Sequence, residues 1–349
     1  MKKILFLAAA IAFSAWNHPV HAWEEECFEE CCADNQFFVT AQYLLWSTDY
    51  SLPIGFKYVE GTSTTAGPVP DSTSTDRTVS GSFFQPHQKW SSGVKLGLGW
   101  EMGDEIDVRG YWTGYKNKTT KSVPTSQSVF IAGIINDISD DNFVGGSTFA
   151  RGTYKLNYNI ADLEVGKTFD VNWLLKFRPF IGLRAAWIHQ DNILTFTGNT
   201  YSFGFATVDQ PQSASIRNHT AGIGPRIGFE TTWGDWYGFS LLGNFSASLV
   251  FAEPKTRFEF ITTTAVLVTP SDIDIVKETL ALNDDYWQLI PNFQVLLGVN
   301  WGTEFDCGNY RLDLFAAWES SFWWETSTIV VIHRGLGLQG LTTGVNFSF

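Results

Sequence analysis

Residues 37–349 read as an all-β domain: an antiparallel, up-and-down transmembrane β-barrel with long extracellular loops. Three observations predict it. Hydrophobicity alternates with period two through most of the chain. Short and long connections alternate between the alternating segments. The chain also stops on an aromatic residue at the end of one more such segment, where Leu341, Thr343, Val345, Phe347 and Phe349 share a face.

Composition agrees. Charged residues make up 17% and aromatics 16%, with 15 Trp and 31 Gly. A soluble domain carries about 25% charged residues. A helical membrane protein would be strongly apolar, yet the mean hydropathy is −0.05. No later segment has the ~20 apolar residues of a spanning helix. A barrel whose lipid-facing and lumen-facing residues alternate fits both values.

The first 22 residues read as a secretory signal peptide. Lys2 and Lys3 precede an uncharged apolar run over residues 4–15, and Val20-His21-Ala22 offers a cleavage site. Removing the two lysines takes the formal charge from −13 to −15. Such an acidic chain has no electrostatic reason to bind nucleic acid. Residues 23–36 are expected as a periplasmic arm bearing Cys27, Cys31 and Cys32, with Cys307 far downstream. Export permits disulfides; four cysteines allow three pairings, and spacing does not choose among them. Cross-links within the barrel or to neighbouring envelope proteins are both open. Cys31-Cys32 lacks zinc-site spacing, and no metal or cofactor is expected.

The strands follow in order. The first covers residues 37–46. In residues 89–100, Trp90, Val94, Leu96, Leu98 and Trp100 alternate with Lys89, Ser91, Gly93, Lys95, Gly97 and Gly99. Ile106, Val108 and Trp112 alternate with Asp107 and Arg109. Tyr154, Leu156, Tyr158 and Ile160 then give way to Leu163 and Val165, a parity flip that predicts a bulge near Ala161. Further alternating segments cover residues 176–187, 222–230, 239–251, 287–301, 310–322 and 339–349. Tight turns are expected at 101–105, 170–172, 234–235 and 302–309. Long polar connections are expected at 48–88, 117–147, 191–217, 253–285 and 326–335. These give ten firm strands. Segments 128–135, 196–208 and 257–268 also look strand-like, so 10–12 strands are expected and 14–16 allowed.

Tryptophans sort to both strand ends. Trp100, Trp173, Trp233, Trp236 and Trp301 lie beside short turns; Trp46, Trp90, Trp112, Trp187, Trp287 and Trp318 lie near long connections. That is the pattern of two interfacial girdles. The polar faces should line the lumen: Lys95, Arg109, Lys155, Lys176, Arg178, Arg184, Arg226 and Arg311 with Asp107, Glu164, Glu230, Asp313 and Glu319. They would tune the ion preference of a pore, or fill a narrow barrel as a ladder of ion pairs. At the C-terminus, Val345, Phe347 and Phe349 should pair with the first strand, leaving no open edge in lipid.

Phe37-Phe38-Val39-Thr40-Ala41-Gln42-Tyr43-Leu44-Leu45-Trp46, soon after the Cys-bearing start, resembles the first strand of the chlamydial and Legionella-type major outer membrane protein-like porins. Arg178-Pro179-Phe180-Ile181-Gly182-Leu183-Arg184-Ala185-Ala186-Trp187 and the ending at 340–349 are similar too. The resemblance runs over nearly the whole mature chain. It implies pore formation and an abundant, structural surface protein, and it carries no catalytic residues.

The expected function is passive diffusion of small hydrophilic solutes across an outer membrane. The alternative is a non-conducting structural or adhesive barrel acting through its loops. A rim-sited hydrolase using Asp284, Asp285, Asp191, His189 and His219 is the remaining reading; no Gly-x-Ser-x-Gly or His-Glu-x-x-His motif accompanies it. Expected partners are outer-membrane lipid and the barrel-insertion machinery. A homo-oligomer or disulfide-linked envelope proteins would follow if the cysteines cross-link.

Overall fold

The computed structural model describes residues 36–49, 55–66, 73–84, 89–102, 105–130, 147–198, 200–202, 207–209, 211–269, 272–306, 309–329 and 332–349. The predicted signal peptide, residues 23–35 of the expected arm and all four cysteines lie outside the described residues, and Gln36, placed in the arm, already belongs to the first strand. The strands are β1 (Gln36–Asp49), β2 (Gly55–Ala66), β3 (Thr73–Phe84), β4 (Ser91–Met102), β5 (Ile106–Phe130), β6 (Ser147–Lys167), β7 (Phe169–Asn172) and β8 (Leu175–Thr197). They continue as β9 (Thr200–Ser202), β10 (Thr207–Asp209), β11 (Gln212–Trp236), β12 (Phe239–Thr269), β13 (Asp272–Asp285), β14 (Gln288–Phe305), β15 (Tyr310–Ile329) and β16 (Ile332–Ser348).

Ten of these close antiparallel into one ring: β1, β4, β5, β6, β8, β11, β12, β14, β15, β16 and back to β1. The closing seam is long. β16 pairs with β1 from Phe38↔Ser348 to Asp49↔Gly337, and Phe37 and Phe349 exchange backbone hydrogen bonds of 2.8 Å in both directions. Val345 faces Ala41 and Phe347 faces Val39 across it. The wall therefore exposes no unpaired edge to hydrocarbon.

The wall count among the described residues is ten, and the described parts of the extra strand-like segments are not wall strands; residues 131–135, 199 and 203–206 lie outside the described residues. Residues 257–268 continue β12, which β13 pairs above the membrane; residues 196–208 contribute the end of β8 and the small β9–β10 hairpin. β5 runs on to Phe130, where β2 joins it and carries β3 as a hairpin. A tilted strand needs ~9–11 residues to cross a bilayer. β12 has 31 residues and β5 and β11 have 25 each, so this flank stands well beyond the lipid. β1 has only 14 and β4 only 12.

The outward face is apolar, with Leu98 70% and Ile181 67% exposed. A continuous apolar exterior of this kind is stable only in contact with lipid. Trp90, Trp112, Trp187, Trp287 and Trp318 point outward at one end, and Trp100, Trp173, Trp233 and Trp236 at the other. Trp46 does not join them. It is buried inside the barrel, because β1 turns its even-numbered residues inward.

Two local expectations are corrected. No bulge interrupts β6 near Ala161: its register with β5 and β8 is continuous from Phe149 to Gly166. Tyr154, Leu156, Tyr158 and Ile160 point into the barrel, while Leu163 and Val165 point out. The turn placed at 234–235 lies instead at Tyr237-Gly238, both with positive φ (56° and 81°), the conformation of a tight two-residue hairpin. Gly234 (φ 94°) accommodates the irregularity between Trp233 and Trp236. The turn expected at 302–309 narrows to the residues between Phe305 and Tyr310.

Candidate functional site: the filled lumen

The inward faces meet in the barrel axis in two layers. The layer nearer the short turns is ionic. Arg109 grips Asp107 with two hydrogen bonds of 3.0 Å, and its remaining amine donates to Glu230 at 2.9 Å. Arg178 donates to the other side of Asp107, with Nε at 2.7 Å and Nη2 closer still. Its Nη1 lies 3.6 Å from Glu164 and 3.4 Å from Glu230. Arg226 sits against Glu164, 3.5 Å from Asp162, and donates to Ser246 at 3.1 Å. Arg184 holds Asp162 in a fork of 2.7 and 2.8 Å. It also donates to Gln294 at 2.8 Å and to Asn292. Gln294 passes a hydrogen bond to Glu319, which accepts another from Thr342 at 2.7 Å.

Strand register explains this convergence. Asp162 lies directly opposite Arg184, Glu164 opposite Arg109, and Glu230 opposite Arg178 on adjacent strands. Glycines make room. A Cβ on Gly166 would lie 2.6 Å from the Arg178 guanidinium, and one on Gly228 would lie 2.5 Å from the Phe180 ring. On β4, Gly97 and Gly99 leave space for the rings of Tyr111 and Phe38, where a Cβ would lie at 2.4 and 2.1 Å. Arg178 and Arg226 lie over the Phe180 ring, at 5.4 and 5.0 Å.

The layer nearer the long connections is mainly apolar and aromatic, with Asn117, Gln190, Asn218, Thr220 and Thr256 buried alongside. Leu44, Trp46, Tyr115, Tyr154, Leu156, Tyr158, Ile160, Ile188, Val250, Ile290, Trp323, Leu336 and Leu338 form one buried cluster. Their side-chain polar atoms have partners within it or at its border. Trp323 Nε1 donates to the Tyr158 hydroxyl at 3.2 Å, Tyr115 donates to the Trp46 carbonyl at 2.9 Å, and Trp46 Nε1 donates to Thr342 at 3.1 Å. The last bond joins the aromatic layer to the ionic one.

The fully polar lumen expected from alternation is therefore corrected: towards the long connections, hydrocarbon and rings cluster among a few buried amides and hydroxyls. Arg178, Arg184, Arg226 and Glu319 face inward and are buried, and Arg109 and Glu230 are nearly so. Lys95 faces inward, half-buried, with its amine 5.0 Å from the Tyr111 ring. Asp313 and Arg311 pair at the rim by the short turns, at 3.0 Å, with Glu304 alongside. Lys176 is exposed at that rim, 3.9 Å from Asp170. Lys155 points out of the barrel, because β6 carries no bulge. Asp162 was missed for the same reason; uninterrupted alternation would have found it.

The proposed hydrolase residues do not converge. His189 and His219 face each other across β8 and β11, with ring centroids 4.3 Å apart, on the outside of the wall. Neither ring is hydrogen-bonded to a carboxylate among the described residues. Asp284 and Asp285 sit on β13, opposite Thr256 and Lys255.

Among solved structures, the outer membrane protease OmpT from Escherichia coli covers 92% of this chain and 99% of its own at 10% identity, with a TM-score of 0.38. A deletion mutant of the monoaromatic hydrocarbon channel TodX covers 91% and 90% at 9% identity, TM-score 0.29. A Pseudomonas aeruginosa FadL homologue covers 90% and 90% at 8% identity, TM-score 0.24. What those proteins cleave or carry is a property of theirs. No curated protein matches the chain. The family described as Legionella pneumophila major outer membrane protein precursor matches residues 30–349. With the whole barrel sequence inside that span, the chain belongs to the Legionella-type major outer membrane protein family and is a protein of the outer membrane.

Proposed function

We propose that this protein is a structural surface barrel of the outer membrane whose lumen is closed in its resting state. The observation that carries the reading is the filling of the lumen. Arg184 and Glu319 are 2% and 1% exposed, and Trp323 and Leu44 above them are not exposed at all. Water cannot pass side chains that water cannot reach, and an apolar layer resists wetting even where a gap opens. Lys95, Arg109, Arg178, Arg184 and Arg226 are matched by Asp107, Asp162, Glu164, Glu230 and Glu319. The interior thus leaves little net charge to select a permeating ion. The work outside the membrane falls to the tall flank from β5 to β13 and to the β2–β3 hairpin.

Porin-like passage of small hydrophilic solutes is the second reading. It is favoured by the unbroken run of ionised side chains from the short-turn rim to Glu319, a surface that would be stable once hydrated. Passage by this route requires the Trp46–Tyr158–Trp323 layer to part. Planar-bilayer recording of the refolded mature protein separates the two. The resting-closed reading expects silence across many insertions, and Trp323→Ala with Trp46→Ala raises the frequency of openings. Regular, well-defined steps from the unmodified protein would replace it with the porin reading.

A further inference from the structure

On the outside of the tall flank, the lipid-facing surface ends abruptly in cations. From girdle to girdle, β5, β6, β8, β11 and β12 show no charged residue outward; Val108, Leu163, Leu183, Ile223 and Phe251 are typical. Beyond Trp112, Trp187 and Phe251 the same faces become basic. Strand register lays the residues out in two neighbouring rows. The first runs Lys116, Asn157, His189, His219, Lys255. The second runs Lys118, Lys155, Asp191, Arg217, Arg257. At about 4.8 Å between strands the rows span ~19 Å, and they lie about 7 Å apart along the strands.

The pairing within these rows is the second observation. Lys118 stands directly opposite Lys155, Arg217 opposite Arg257, and His189 opposite His219. Like charges in directly opposed positions repel, and the two imidazoles are already in contact at 4.3 Å. The lumen of the same barrel pairs Arg with Asp or Glu at nearly every such position. On this outer patch Asp191 lies between Lys155 and Arg217; at its border stand Glu253, 3.1 Å from Lys255, Asp285, opposite Lys255, and Glu259, two residues beyond Arg257, so that six Lys and Arg face four carboxylates. Lys116, Lys118, Lys155, Arg217 and Arg257 are exposed, and none is ion-paired with a described residue. In a chain of formal charge −13, two directly opposed cationic pairs beside the imidazole pair, all just beyond the girdle, call for an external anion.

We propose that this patch binds the phosphate groups of a phosphorylated lipid headgroup in the outer leaflet. Its place selects the source of the phosphate. The patch begins within one or two side chains of the aromatic girdle, the level at which headgroups meet the barrel. Basic side chains there meet fixed anionic lipid, while the acyl chains of the same molecule lie on the apolar wall below. Arg217 and Arg257 supply planar forks for phosphate oxygens, and the lysines supply point charges. The inference rests on outer-membrane placement and not on whether the lumen conducts.

The test uses the refolded mature chain in a zwitterionic detergent, titrated with bis-phosphorylated lipid A. Dephosphorylated lipid A and inorganic phosphate are the comparison ligands. Retained lipid is read by native mass spectrometry, and the unfolding temperature is read in parallel. The wild type should bind phosphorylated lipid A in a salt-sensitive way and gain thermal stability. Lys118→Gln/Lys155→Gln/Arg217→Gln should weaken that binding by about a hundredfold while keeping the heat-shifted electrophoretic mobility of a folded barrel. Lys176→Gln at the opposite rim should bind as the wild type does. Equal binding of dephosphorylated lipid A would overturn the proposal, leaving only acyl-chain contact. Equal stabilisation by inorganic phosphate would overturn the lipid as its source. Unchanged affinity in the folded triple variant would overturn the patch as its site.

Discussion

Arg184 is the most heavily committed side chain in the barrel. It forks onto Asp162, reaches Asn292 and Gln294, and lies 5.9 Å from the Trp323 ring. Breaking a buried pair from one side costs about 3–5 kcal/mol, because the remaining charge is stranded. Arg184→Ala should therefore lower stability by that order in denaturant titration of the detergent-folded protein. Arg184→Met with Asp162→Leu should recover a good part of it, since an apolar pair strands nothing. A double variant no better than the single one would contradict a stranded-charge origin. His189 offers a different measurement. Burial, and then His219 facing it, hold its imidazole below the ordinary histidine value, with Asp191 acting the other way. Lys155 and Asn157 on β6, Arg217 on β11 and Lys255 on β12 complete its surroundings. Because the folded value is depressed, the unfolded chain takes up the proton first as pH falls. His189 thus contributes stability that is present above about pH 6.5 and is lost as pH falls below it. NMR titration of the ring should give a midpoint under that of a free histidine, and phosphorylated lipid should move it upward. Single residues were legible where a charge broke an alternating run, as at Arg178 and Glu319. Trp46 and Trp323 were not: an aromatic at a strand end serves a girdle or a core equally well, and only register says which way it faces.

Outward faces were readable in most of the wall strands because lipid enforces one apolar side on each. β6 misled because its inner face is apolar as well, with Tyr154, Leu156, Tyr158 and Ile160 filling the upper lumen. Two apolar faces offset along one strand imitate a parity change. Turn positions slipped for a related reason. Gly234-Asp235 has turn composition, yet the chain spends Gly234 on an irregularity and turns at Tyr237-Gly238. The wall also constrains its small residues. A Cβ on Gly224 would lie 1.9 Å from the Leu249 carbonyl oxygen, and that neighbour is backbone. Gly224→Val should therefore push β11 and β12 apart and sharply reduce the heat-modifiable folded band after refolding. Gly110 is the control: its nearest neighbour would be 4.0 Å away, and Gly110→Val should fold normally. Equal folding yields would mean the two strands adjust more freely than their close approach implies.

For the molecule as a whole, strand number decided what the sequence could not. Alternation gave ten firm strands but left three further segments open, and only pairing partners reveal that their described parts rise above the wall instead of widening it. Width then limits the lumen, and the aromatic and ionic layers occupy it. The cysteines lie outside the described residues, so their role is carried by sequence alone. Cys27, Cys31 and Cys32 precede β1 and Cys307 falls between β14 and β15 in the sequence; from the sequence, all four are expected in the oxidising periplasm. Cross-linking among these barrels should then appear as high-mass bands on non-reducing electrophoresis that single Cys→Ala variants remove. Identical mobility with and without reductant would retire that role.

The cluster around Trp323 gives this barrel an oily heart as well as an oily skin. A protein built so does not depend wholly on its solvent for cohesion. Stripped of lipid and handed from one surfactant to another, it keeps a dry centre to which its staves adhere. Substitutions should therefore be punished more harshly inside the cylinder than on the side that touches the bilayer.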